Sequence, residues 1–247
     1  LKALGVLRLV AEQKAPDARG CWRGERFVLQ STLDEVGIMK FFLEEYRPTP
    51  VIAPWNGGSG FYAKDNKSGI GNLQNNTAVR FEAYRQVIRQ AAELLESSNF
   101  LERPQGDEKE KLIRMLRATL DESAIEWMDA ALFISSDSVA FPPLLGTGGN
   151  DGRLDFTNNF MQRLVALFDP KSGAPTPGAE RWLGDAIFQQ SSPALLVSAA
   201  IGQFSPGAAG GPNASAGFEA NSLSNPWEFV LMIEGAHLFA SSAARKL

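Results

Sequence analysis

Apolar positions recur at helical spacing along most of the chain. Leu1, Leu4, Leu7 and Leu9-Val10 predict a first helix ending near Gln13, where Pro16, Asp17 and Gly20 mark a turn. Residues 21–29 read as a short β-hairpin with Gly24 near its tip. Ser31 or Thr32 is placed to cap a helix that buries Leu33, Val36, Phe41, Phe42 and Leu43 and stops near Arg47, because Pro48 and Pro50 follow. The longest helix is expected over 77–97, with Val79, Tyr84, Val87, Ile88, Ala91, Leu94 and Leu95 inward and Arg85 and Arg89 outward. Two more helices are expected over 109–120 and 121–134. Further helices are expected at Phe160, Leu164, Leu167 and Phe168 with Asn158 or Asn159 as N-cap, and over 179–188. After an apolar segment over 195–201, Asn225-Pro226 opens a last helix that carries Phe229, Met232, Ile233, Ala236 and Phe239 into a core. The fold class is therefore mainly α with a minor β part (α+β), a helical domain with three long glycine-rich loops. The whole of 1–247 reads as one α-rich domain, with a subdivision point near 169–178.

The glycine loops interrupt this pattern at 54–71, 142–157 and 202–217. The central one packs four glycines into the seven residues 146–152, which frees the backbone for positive φ and for close approach by another chain. It runs into Asn158-Asn159 and reaches Arg163, and the first loop runs into Asn75-Asn76 and reaches Arg80. Both thus lead to Asn-Asn-x-x-x-Arg at an expected helix start.

Composition narrows the chemistry. At 44% hydrophobic and 21% charged residues, the chain is ordinary for a globular protein of 247 residues. No run of about 18 apolar residues and no leader pattern occurs, which predicts no membrane partner and a cytoplasmic location. The chain begins in mid-pattern at Leu1, as expected of a piece of a longer polypeptide. A single cysteine, Cys21, and a single histidine, His237, exclude an intrachain disulfide and disfavour a zinc site. The formal net charge of −4 argues against coating nucleic acid through an overall field but leaves local phosphate contacts open.

Glycine loops ahead of helices suggest a phosphate cradle. However, Gly-x-x-x-x-Gly-Lys-Ser/Thr is absent, and the 146–152 glycines have the wrong spacing for Gly-x-Gly-x-x-Gly. A serine hydrolase would need His237 as base, and that residue sits in an apolar segment. Glu122, Glu126 and Asp129 share a helix face and could serve a carboxylate-dependent hydrolase, as could Asp151 and Asp155, but a solvated helix face explains the same spacing of the first three. Recognition remains. Asn pairs with adenine edges and Arg with guanine, and glycine backbones fit closely into a groove. The residues offered for DNA binding are Asn56, Gly57, Gly58, Ser59, Asn150, Arg153, Asn158, Asn159, Gln162 and Arg163. Trp55 and Phe61 are placed either to stack on a base or to anchor the loop. No catalytic residue, metal or cofactor is expected.

Four separated segments then carry a resemblance. They are 1–13, Tyr46-Arg47-Pro48-Thr49-Pro50 running into Pro54-Trp55-Asn56-Gly57-Gly58-Ser59-Gly60-Phe61-Tyr62, Gly146-Thr147-Gly148-Gly149-Asn150-Asp151-Gly152-Arg153 through Phe160, and Asn225-Pro226-Trp227-Glu228 through Gly235. Together they resemble the Csx-type large subunit of type I-G (formerly I-U) CRISPR effector complexes. Members of that family are considerably longer, so the resemblance implies an amino-terminal part. It also implies a non-enzymatic role in the RNA-guided complex called Cascade: reading the protospacer-adjacent motif in target double-stranded DNA, helping to open the duplex, and supporting recruitment of a helicase-nuclease. The implied partners are the other Cascade subunits and, through them, CRISPR RNA. A purely architectural subunit is the remaining alternative.

Overall fold

The computed structural model describes residues 1–146, 150–151, 154–189, 197–200 and 221–240. Its elements run α1 (Lys2–Gln13), β1 (Arg19–Arg23), β2 (Arg26–Gln30), α2 (Glu35–Lys40), α3 (Ser68–Gln74), α4 (Glu82–Ser97), α5 (Gly106–Thr119), α6 (Glu122–Ala131), β3 (Phe133–Ile134), β4 (Val139–Ala140), β5 (Asn150–Asp151), β6 (Leu154–Asp155), α7 (Phe156–Leu167), α8 (Ala179–Phe188), β7 (Val197–Ala200), β8 (Asn221–Ser224) and α9 (Pro226–Ala236). Consecutive strands pair antiparallel into four separate ribbons. The protein is mainly α with a minor β part, as the periodicity predicts.

Helices α1 and α9 cross in backbone contact. A β-carbon on Gly5 would stand 2.0 Å from the Leu231 carbonyl oxygen, and one on Gly235 would stand 2.3 Å from that of Leu1, so only glycine fits either position. This contact places Arg8 beside Glu234, which is fully buried. Arg8 Nη1 donates to Glu234 at 2.7 Å and Nη2 to Glu126 at 2.6 Å, while Nε lies 3.1 Å from Glu12. Burial alone would weaken the Arg8 charge; attraction by Glu234, Glu12 and Glu126 more than offsets it and raises its pKa. Glu234 also accepts from the Tyr46 hydroxyl at 2.6 Å, the Thr49 amide at 3.0 Å and the Thr49 hydroxyl at 2.8 Å.

Residues 46–54 cross the core without regular structure, so their backbone groups must be satisfied by side chains. The Glu234 bonds serve Thr49. The Tyr84 hydroxyl accepts from the Val51 amide at 2.8 Å, Trp127 Nε1 donates to the Ile52 carbonyl at 2.7 Å, and the Tyr62 hydroxyl donates to the Pro54 carbonyl. The segment thereby delivers the chain, already fixed, to the first glycine loop. Around it the rings of Phe42, Tyr46, Phe168 and Trp227 pack at tilted and edge-on angles, with centroids 5.5–6.3 Å apart.

Several expected details differ. Asp34, not Ser31 or Thr32, caps α2, accepting from the Gly37 amide at 2.8 Å; Ser31 instead closes a local turn onto the Leu33 amide. Val36 and Val79 are 74% and 65% exposed, although both were expected inside. The helical phase shifts near each: α2 widens into a π-helical turn at Phe41–Glu45, and Val79–Phe81 is a 3-10 turn preceding α4. Asn75 and Asn76 open no long helix; Asn75 closes the short α3. The expected 121–134 helix ends at Ala131, and Phe133–Ile134 turns into a strand. Asn225 does cap α9, accepting from the Trp227 amide at 3.0 Å with Pro226 in the first turn, but α9 ends at Ala236 and leaves Phe239 50% exposed. The 202–217 loop lies outside the described residues.

Candidate nucleic-acid interface

The first glycine loop closes on a carboxylate of its own. Asp65 accepts from the amides of Gly58 at 2.9 Å, Gly60 at 3.0 Å and Tyr62 at 3.2 Å, and from the Ser59 hydroxyl at 3.3 Å. Converging amides of this kind form an anion site, and here the anion is intrinsic. Gly58 and Gly60 take φ of +82° and +93°, which the closure requires. These amides are already occupied, which agrees with the missing nucleotide fingerprint.

Asn158 ties this loop to the central one. Helix α7 starts at Phe156, so Asn158 lies inside its first turn instead of capping it. Its side chain is buried, and Nδ2 donates to the carbonyls of Gly58 and Asn66, both at 3.0 Å. Gly69 in α3 leaves room for that amide, since a β-carbon there would meet Asn158 Oδ1 at 2.8 Å. Gln162 supports the arrangement, donating to Asn158 Oδ1 at 3.3 Å.

The expected DNA-binding residues thus divide. Asn56, Ser59 and Asn158, expected to be presented outward, have buried side chains; Asn56 Oδ1 accepts from Lys109 at 2.9 Å. Gly57, Gly58, Asn159, Gln162 and Arg163 are half-buried. Burial lowers the Arg163 pKa, and its Nε has no acceptor among the described residues. Arg80, its counterpart after the first loop, is treated alike: it stacks 3.9 Å over the Phe168 ring, donates to the Leu43 carbonyl at 2.6 Å, and burial lowers its pKa to about 10. Asn150 sits in β5 opposite Asp155, while Arg153 and 147–149 lie outside the described residues. Trp55 is fully buried and anchors the loop, so it does not stack on a partner, and Phe61 packs against the core. Arg85 turns back to Asn76 and the Ala78 carbonyl, while Arg89 is exposed.

Residues outside the expected set bring positive charge to this loop. Arg103 lies over the loop, its Cδ 3.0 Å from where a Gly57 β-carbon would be. Lys109 is held 4.8 Å over the Phe141 ring, and its pKa is lowered by burial and then by the neighbouring Arg103 charge. Lys64 and Lys67 are exposed on the same loop. Two adjacent cations, with the loop's own acid already engaged, favour an incoming anion. In the sequence, Asp65 soon after three glycines was a usable signal for the closure; the arrival of Arg103 and Lys109 from beyond α4 left none.

Glu126, Asp129 and His237, also weighed for chemistry, have partners within the fold. Glu126 and Asp129 pair with Arg8 and Arg117. His237 is buried, with Nδ1 placed to donate to the carbonyls of Ile233 at 3.0 Å and Glu234 at 3.2 Å, and burial lowers its pKa to about 4. Cys21 is free and exposed. Among the described residues no group of His, Cys, Asp and Glu could hold a metal ion, and no helix is long and apolar enough to cross a membrane. No family model matches the chain, and no curated protein is significantly similar to it.

Proposed function

We propose that this chain acts as a large subunit of a type I CRISPR RNA-guided surveillance complex, recognising the protospacer-adjacent motif in duplex DNA and supporting R-loop formation and helicase-nuclease recruitment. The observation that carries the reading is the joining of two resembling segments by Asn158, which fastens the first glycine loop to α7; Lys64 and Lys67 are exposed on that loop, and Arg103 and Lys109 approach it at Gly57 and Asn56. Half-exposed glycine backbone permits close approach to a duplex, and the cations supply local phosphate attraction that a net charge of −4 does not. In this reading Asn158, Asn56 and Ser59 hold the surface, and Asn159, Asn150 and Arg153 are the contact residues.

The test is reconstitution with CRISPR RNA and the partner subunits, followed by binding to duplexes with and without the motif. Asn159→Ala and Asn150→Ala are expected to weaken motif-dependent binding by roughly 1–3 kcal/mol per lost base contact. Arg103→Ala should weaken both duplexes alike. Failure of the chain to assemble with any CRISPR RNA, or equal binding of both duplexes by the wild-type assembly, overturns the proposal. Assembly lost in the loop variants ahead of DNA binding would instead favour the architectural alternative.

A further inference from the structure

The β1–β2 ribbon is a second basic surface, separate from the glycine loops. Its register pairs Arg19 with Gln30, Cys21 with Val28 and Arg23 with Arg26, while Gly20 pairs with Leu29 and Trp22 with Phe27. Cross-strand partners share a face, so the ribbon has two unlike faces. One is turned to the body: a β-carbon on Gly20 would meet Phe27 at 2.4 Å and Leu7 of α1 at 2.9 Å. The other carries all three arginines into solvent. From 19 to 30, three arginines against Glu25 alone give a net charge of +2.

The pairing at the tip decides what this face is for. Arg23 and Arg26 are both exposed and stand directly opposite, beside a two-residue turn in which Gly24 takes φ +61°. Like charges in that relation destabilise a ribbon. Neither has an ion pair or side-chain hydrogen bond among the described residues. Trp22, 60% exposed and set edge-on to Phe27 at 5.2 Å, stands at the tip on the opposite face. A two-stranded ribbon fits the major groove of B-form DNA, whose phosphates would bridge and neutralise the facing guanidinium groups.

We infer that the arginine-bearing face of the β1–β2 ribbon is a docking surface for duplex DNA, with Arg23 and Arg26 contacting backbone phosphates. The inference rests on the nucleic-acid reading above, but it concerns contact without base selection. Its test therefore uses the 247-residue chain alone and a 20-base-pair duplex lacking any adjacent motif, so that its failure and a failure of motif discrimination by the assembled complex are read separately.

Affinity is measured by fluorescence anisotropy across a salt series. Arg23→Gln/Arg26→Gln is expected to bind at least tenfold more weakly near 0.1 M salt and to lower the slope of log affinity against log salt by about 2. Arg23→Lys/Arg26→Lys should keep both. Both positions are exposed, and unchanged circular dichroism and melting temperature show that the variants fold. An unchanged slope in the Gln variant, no binding by the wild type, or equal or tighter binding of heparin or single-stranded RNA would each overturn the inference.

Discussion

Two sets of arginines in this molecule are treated in opposite ways. Arg8 is enclosed by Glu12, Glu126 and Glu234, which come from three helices far apart in sequence. Arg23 and Arg26 face each other across an exposed ribbon with only Glu25 nearby. The first set is balanced within the chain and therefore belongs to the fold. The second is left uncompensated among the described residues, which is why it is proposed as a contact surface. Arg80 and Arg163 stand between the two sets: both are half-buried, and neither has a carboxylate partner among the described residues.

That contrast can be broken most forcefully at Glu234. Glu234→Ala strands the buried Arg8 and is expected to lower the free energy of unfolding by roughly 3–5 kcal/mol in denaturant titration. Glu234→Gln, which can still accept from Tyr46 and Thr49, should fall between that variant and wild type; equal stability of all three would remove the structural role assigned to the network. The next largest effect comes from His237, which packs against the same region. Its folded pKa of about 4 lies below the ordinary 6.5, so the unfolded chain takes up this proton first as pH falls. The His237 contribution is full above about pH 6.5 and declines toward pH 4, by roughly 3 kcal/mol in all. His237→Gln should flatten that part of a melting-temperature curve. At the glycine loop, Asn158→Ala leaves the carbonyls of Gly58 and Asn66 without their donor and should cost about 1–3 kcal/mol of stability. The smallest effect has the opposite sign. Arg26→Glu turns a like-charge pair into an attractive one and should stabilise the free chain by roughly 0.2–1 kcal/mol, while weakening duplex binding in the same preparation.

The sequence was legible where one element decides its own form. The hairpin with Gly24 at its turn, the 179–188 helix, and Asn225-Pro226 opening α9 are local signals, and they hold. It was misleading where a neighbour decides. Asn158 reads as a cap because Asn at a helix start usually is one, yet its amide is drawn away by carbonyls some hundred residues distant. Val79 matches the α4 periodicity only if a 3-10 turn is ignored. The Arg8 network spans 226 residues of sequence, so no spacing rule could propose it. At the candidate interface the glycines themselves were evident, while the cations beside them come from segments whose nearness depends on the whole core.

The meeting of Gly5 with Gly235 also has a consequence in time. The surface that α1 offers to α9 is made on the ribosome well before its counterpart, with Gly5 and Gly235 separated by most of the chain. At about 5–20 residues per second, the intervening chain takes roughly ten to fifty seconds to emerge. Throughout that interval the apolar side of α1 waits uncovered, so the nascent chain is exposed to chaperones and to self-association for longer than its finished core would suggest.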